Sequence, residues 1–257
     1  MLLDAHWHVD HDDNPKEILE KSAKRGIFLI AVTNLPSHFG QGLPHVRSFS
    51  NVRLALGLHP LMADKHSSEL PLFERYLSET NYIGEVGLDS SRNGRKNLSI
   101  QKSSFETVLR KADGSKIFSL HARMAEQQVL DMLLDADARG GIFHWYSGPI
   151  KVLDKAVEAG YFFSVNPRMC LTKNGERIIS RIPLDRLLTE TDGPFAGESG
   201  KPYYPWDVEK VIQYVSKIHL MAAEAVRKQI WKNFRMLTHA HREKGGSPSV
   251  IPFKYPI

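Results

Sequence analysis

Residues 15–33, PKEILEKSAKRGIFLIAVT, contain the unit from which the fold can be read. Pro15 stands just inside a helix start after Asn14, and Gly26 stops that helix. Ile27–Thr33 then runs apolar with almost no alternation, as a parallel strand covered on both faces should. The same alternation continues in both directions. Strands are predicted at Leu2–Ala5, Ile27–Thr33, Val52–Leu58, Tyr82–Leu88, Lys116–His121, Gly141–Trp145, Tyr161–Val165 and Arg186–Thr191. Amphipathic helices are predicted at Pro15–Arg25, Leu98–Lys111, Met124–Ala138, Pro149–Ala159, Trp206–Lys217 and Ala222–Thr238. Eight strands alternating with helices in 257 residues is the count of a single α/β chain folded as a (β/α)8 TIM barrel. A doubly wound open sheet is the competitor, but no G-x-G-x-x-G follows the first strand. The barrel is expected over residues 1–242, with residues 243–257 as a short extended C-terminal tail.

Composition excludes several classes. A hydrophobic fraction of 42% with 25% charged residues rules out a disordered or fibrous chain. The net charge of +5 is compatible with a polyanionic ligand but far short of a nucleic-acid-coating protein. One cysteine, Cys170, excludes a disulfide framework and a cysteine-rich zinc site, and it fits a reducing compartment. It is too isolated to read as a nucleophile, and a packing role suits it better. The longest apolar run, Ile27–Val32, is much too short to span a bilayer. The N-terminus, MLLDAHWHVD, carries acid and histidine where a signal peptide needs a basic head. A cytoplasmic protein with no membrane partner is expected.

The histidines and acids fall at informative places on the strand map. His6 and His8 follow the first strand, Glu85 lies within the fourth and His121 ends the fifth. His144 sits near the end of the sixth, and Asp192 follows the eighth. Parallel barrel strands point their C-terminal ends at one face, so six nitrogen and oxygen ligands should converge there. His6 and His8 share one side of a strand, can grip one ion together, and Asp192 completes its shell. His121 and His144 can hold a second ion, with Glu85 bridging the two. Each feature has a plain structural explanation when taken alone. A lone His-x-His is a weak signal, an acid at a strand end is usually a salt-bridge partner, and His144 after Ile142 and Phe143 reads as a core histidine. Six such groups on one rim are what favour two divalent ions. Glu85 and Asp192 are the expected catalytic residues, with Asp192 orienting a water and accepting its proton. Arg123, whose planar guanidinium can hold two phosphate oxygens, leads the expected substrate contacts. His59, Trp145 with Tyr146 as base-stacking rings, Lys201 and Arg168 complete that group.

These motifs together resemble a known family. DAHWHVD, GLHP, GEVGLD, SLHAR, FHWYSG and LLTETDGPF are similar to the motif series of TatD-type metal-dependent DNases in the amidohydrolase superfamily. The resemblance covers roughly Leu2 to Leu237. It implies a (β/α)8 barrel, ligation by His6, His8, Glu85, His121, His144 and Asp192, and magnesium-, manganese- or zinc-dependent hydrolysis of DNA phosphodiesters. VTNLPSHF and LGLHP…ELPLFERYL, with LLTETDGPF, look most like the TatD-type component of Qat antiphage operons. That narrower likeness implies antiviral defence and other Qat operon proteins as partners. Two departures stand out. The loop after Asp192 reads GESGKPYYPWD where many relatives carry R-G-x-x-N-x-P, with Lys201 as a replacement basic contact. The histidine–Ser–Arg motif becomes His121-Ala122-Arg123. The leading reading is therefore a DNA phosphodiesterase acting from an end or on a single strand. One rival is a hydrolase of a small ester, amide, lactone or aminoacyl-RNA bond; another is a defence-complex binding subunit with secondary catalysis.

Overall fold

The computed structural model describes residues 1–112, 114 and 116–243. All eight predicted strands form: β1 Leu2–His8, β2 Ile27–Val32, β3 Val52–Leu54, β4 Tyr82–Asp89, β5 Ile117–Arg123, β6 Gly141–His144, β7 Phe162–Val165 and β8 Leu187–Thr189. Neighbours pair in parallel as two sheets, β1-β2-β3 and β4 through β8. Backbone hydrogen bonds close the two seams. Between β3 and β4, Leu56 bridges Ile83 in parallel, Gly84 N donates to Leu56 O at 3.0 Å, and Leu58 N donates to Glu85 O at 3.0 Å. Between β8 and β1, Asp192 N donates to His6 O and His8 N to Gly193 O, each at 2.9 Å. The result is a closed (β/α)8 barrel, which leaves no exposed sheet edge.

Nine helices lie among the described residues: α1 Pro15–Lys24, α2 Pro36–Val46, α3 His66–Tyr76, α4 Leu98–Ala112, α5 Glu126–Asp135, α6 Ile150–Glu158, α7 Lys173–Arg181, α8 Val208–Ile218 and α9 Ala223–Glu243. Six correspond to the predicted helices, with ends shifted by a few residues. Asn14 caps α1, its side chain accepting from Glu17 N, and Pro15 opens it. The other three were not apparent from periodicity. Pro44 and Pro71 lie inside α2 and α3, where proline argues against helix. In α7, Ile178 and Ile179 are the only large apolar side chains among its buried residues. α9 packs across the N-terminal end of the strands. There Asn233 donates to the carbonyls of Leu184 and Leu187 at 2.7 and 2.8 Å, and Phe234 meets Phe28 at 5.1 Å between centroids.

Two strands depart from regular register, β1 between Asp4 and Trp7 and β4 between Ile83 and Val86. These are the stretches that carry His6 and Glu85, and such irregularities re-aim side chains at barrel rims. Two glycines flank Glu85. A Cβ on Gly84 would lie 2.7 Å from the Ser119 Cβ, and Gly87, at φ +134°, approaches the His121 carbonyl. β1 also runs to His8, so His6 and His8 lie within the strand rather than beyond it. After β8, residues Gly197–Glu198 (β9) and Lys201–Pro202 (β10) form a small antiparallel hairpin. Among the described residues no helix is long and apolar enough to cross a membrane. The expected tail lies outside the described residues except Glu243, the last residue of α9.

Candidate metal centre

The six expected ligands converge at the C-terminal ends of the strands. His6 and His8 project from β1, Glu85 from β4, His121 from β5 and His144 from the end of β6. Asp192 follows β8 at φ +53°, its amide bonded to His6 O. His6, His8, Glu85 and Asp192 are buried, and the side chains of His121 and His144 are only 13% and 8% exposed. His6 Nε2 and His8 Nε2 lie 3.1 Å apart, and Asp192 Oδ1 is 3.5 and 3.4 Å from them. Glu85 divides its two oxygens. Oε1 meets His121 Nδ1 and lies 2.8 Å from His144 Nε2, while Oε2 lies 3.2 Å from His8 Nε2 and 3.5 Å from His6 Nε2.

The surroundings fix which ring nitrogen faces inward. Ser119 Oγ lies 2.7 Å from His6 Nδ1 and can accept a hydrogen bond from its N–H, leaving Nε2 as the lone-pair atom toward the cluster. His121 Nε2 donates to Asp89 Oδ2 at 2.9 Å, which leaves Nδ1 for the cluster. Glu190 Oε1 stands 3.6 Å behind His144 Nδ1, and the same carboxylate accepts from Ser164 Oγ, Asn166 Nδ2 and Trp145 N. Asp4 accepts from the amides of His6 and Thr191, tying β1 to the start of the Asp192 loop. His59 is oriented the other way. Leu61 N–H donates to its Nδ1 at 3.1 Å, so the neutral ring carries its proton on Nε2, 3.4 Å from Glu85 Oε2. His59 thus enters the cluster as a donor. Ser119, Asp89, Glu190 and Asp4 were not assigned from sequence, although all four lie inside the quoted motifs, three of them as acids in or beside strands.

Electrostatics support a cation here. Burial alone would push Glu85 up, but the imidazoles of His59, His144 and His121 outweigh it and hold the carboxyl well below its usual range. Asp192 is likewise lowered, against burial, by His8, His144 and His6. Burial would lower His8, but Asp192 and Glu85 raise it to about 9; His144 is raised well above its ordinary value by Glu85 and Glu190, again against burial. Burial lowers His6 and His59 below the ordinary imidazole value. Without a metal, bound protons balance the buried carboxylates, and a divalent cation would take their place. The donor set fits. Asp192 with His6 and His8, and Glu85 with His6 and His144, each form a group whose ligand atoms lie within 4.8 Å of one another. Imidazole and carboxylate without thiolate suit zinc, manganese or iron, and the carboxylates admit magnesium.

The expected substrate contacts fall into three kinds. Arg123, at the end of β5, and Arg168, after β7, are exposed rim residues with no side-chain hydrogen bond or ion pair among the described residues. Lys201 is exposed on β10, and no contact among the described residues ties it to the cluster. Trp145 is half-buried at φ +38° beside His144. Tyr146 is buried with its ring against Phe143 and Phe163 and its hydroxyl donating to Pro149 O, so it packs rather than stacks a base. Burial pushes the Cys170 thiol up to about 12, which removes it as a nucleophile.

Comparison with known proteins identifies the family and the fold. The family model described as TatD related DNase matches residues 3–239. The human deoxyribonuclease TATDN3 is 26% identical over 246 residues, covering 88% of this chain and 90% of that one. An uncharacterized metal-dependent hydrolase of Methanocaldococcus jannaschii, MJ1582, is 28% identical over 243 residues, 90% of this chain and 94% of its own. Among solved structures, the TatD homolog YJJV of Escherichia coli superposes with a TM-score of 0.84 at 24% identity, over 92% of this chain and 97% of that one. With a barrel of the same form and a buried imidazole–carboxylate cluster at its mouth, the chain belongs to the TatD-related DNase family and is a metal-dependent hydrolase.

Proposed function

We propose that this chain hydrolyses phosphodiester bonds of DNA with two divalent cations. His6, His8 and Asp192 would hold one, His121 and His144 the other, and Glu85 would bridge them. The observation that carries this reading is the division of Glu85, one oxygen toward His121 and His144 and the other toward His6 and His8. When bound, paired cations neutralise an attacked phosphoryl group and lower the pKa of an attacking water. The protein's own groups supply the rest. Asp192, held ionised, would take the proton of that water through the carboxylate oxygen not committed to the cation. The Nε2–H of His59 donates to a phosphoryl oxygen from the Glu85 side. Arg123, on the rim two residues after His121 and without an acidic partner among the described residues, grips the flanking phosphate. Trp145 walls the pocket, and Lys201 meets the nucleic acid farther out. A deeply buried centre favours a strand end or a single strand over a continuous duplex.

The test is chelated protein resupplied separately with magnesium, manganese and zinc, on end-labelled DNA, RNA and a panel of small esters. DNA cleavage from one end supports the reading; turnover of an ester or aminoacyl-RNA without DNA cleavage replaces it. Arg123→Lys keeps the charge but loses the two-donor fork, so KM for DNA should rise about tenfold while metal content is unchanged. An unchanged KM removes Arg123 from the phosphate site. The Qat-like connecting segments support service in antiphage defence alongside other operon proteins. Plaque counts with a cluster-dead variant in an otherwise intact operon test that part.

A further inference from the structure

One aromatic side chain on the rim packs against the centre yet stays mostly in water. Phe195 is 57% exposed, although its ring meets His8 edge-on at 4.7 Å and His11 at 4.8 Å between centroids. Its backbone is well anchored. Ala196 N donates to Asp192 O, and Tyr203 N donates to Ala196 O, both at 2.9 Å, with the β9–β10 hairpin between them. The loop therefore holds an open phenyl ring beside His8 and Asp192. Arg123 ends β5, on the far side of the barrel from the loop after β8, and its guanidinium has no acidic partner among the described residues. A cationic donor on one side of a phosphate-handling centre and an open apolar ring on the other match a nucleotide, which joins an anionic phosphate to a base apolar on its faces. The aromatics first expected in this role are poorly disposed for it, since Tyr146 is buried and Trp145 half-buried.

We infer that Phe195 is the platform on which the base adjoining the cleaved phosphate stacks, so that a base, and not only a phosphate ester, is part of what the site recognises. This rests on the phosphodiesterase reading. Every base has a π face, so the platform supplies affinity with little preference among bases.

The test pairs variants with substrates. Wild type and Phe195→Ala are compared, in metal-loaded protein, on an oligonucleotide with an intact or an abasic nucleotide at each position flanking the cleaved bond. Removing the ring should lower kcat/KM about tenfold, chiefly through KM, and Phe195→Trp should restore it. Removing the base at one position should cost wild type a similar factor, and removing both should cost no more than either alone. Losses that multiply at every position overturn the inference, as does a Phe195→Leu variant equal to wild type. Cation content is measured alongside. If Phe195→Ala also loses its metal, the ring merely supports His8 and the inference falls. Failure of the parent reading has a separate signature, wild type cleaving no oligonucleotide. In that case binding of deoxyadenosine monophosphate is compared with deoxyribose 5-phosphate. A preference of about tenfold for the base-bearing ligand, lost in Phe195→Ala, sustains the platform, and equal binding overturns it.

Discussion

Glu85→Ala should lower hydrolysis roughly a thousandfold or more, because the several kcal/mol of charge stabilisation that paired cations supply depends on both being held. Among the described residues, no other carboxylate of the cluster places oxygens against both imidazole pairs. Without it, His121 and His144 lose the acid that keeps them charged, and they can become neutral without unfolding the barrel. The melting transition of the chelated variant should therefore stay cooperative, and metal analysis should find less than the wild-type complement. Activity near wild type after chelation and controlled resupply would mean that Glu85 does not bridge.

Cation affinity at the His6–His8–Asp192 group should rise about fifty-fold between pH 7 and pH 9, then level off. His8 sits at about 9 because Asp192 and Glu85 outweigh its burial, and its proton must leave before Nε2 can bind a metal. Competition against a chelating indicator of known pH response measures this directly. The same proton stabilises the metal-free fold. For a histidine raised from an ordinary value of about 6.5, that contribution is complete below the ordinary value and is lost as pH rises through about 9. Chelated protein should thus lose stability over this window through His8, while metal-loaded protein, whose His8 carries no proton, should not. A flat affinity profile would place the compensating proton elsewhere in the cluster.

The barrel could be read from sequence because its strands are covered on both faces, so runs such as Ile27–Val32 stand out as continuous apolar blocks. The convergence of His6, His8, Glu85, His121, His144 and Asp192 followed from strand polarity alone. What sequence could not supply was whatever depends on lateral neighbours. Ser119 reaches His6 only because the closed barrel brings β5 across to β1, and Glu190 reaches His144 because of the β6–β7–β8 order. The inward N–H of His59 is set by the turn at Pro60–Leu61, which leaves no periodic signal. Trp145 and Tyr146 are adjacent letters, yet the positive φ at Trp145 leaves one half-exposed and the other in the core. Phe195 carries no signal in the sequence, since a loop phenylalanine is told from a packing residue only by its exposure.

Seam bonds of the barrel include the ligands' own peptide groups: His6 O, His8 N, Asp192 N and Glu85 O. Any opening wide enough to fray the barrel between β8 and β1 must also scatter the donors that grip a cation. Metal occupancy thereby becomes a gauge of the intact fold, and bound cation a brake on its breathing. The loops beyond the seam carry no such burden. Residues 198–202 can drift in sequence and change what the mouth admits, while the hydrogen bonds beneath them stay under the joint demands of closure and chemistry.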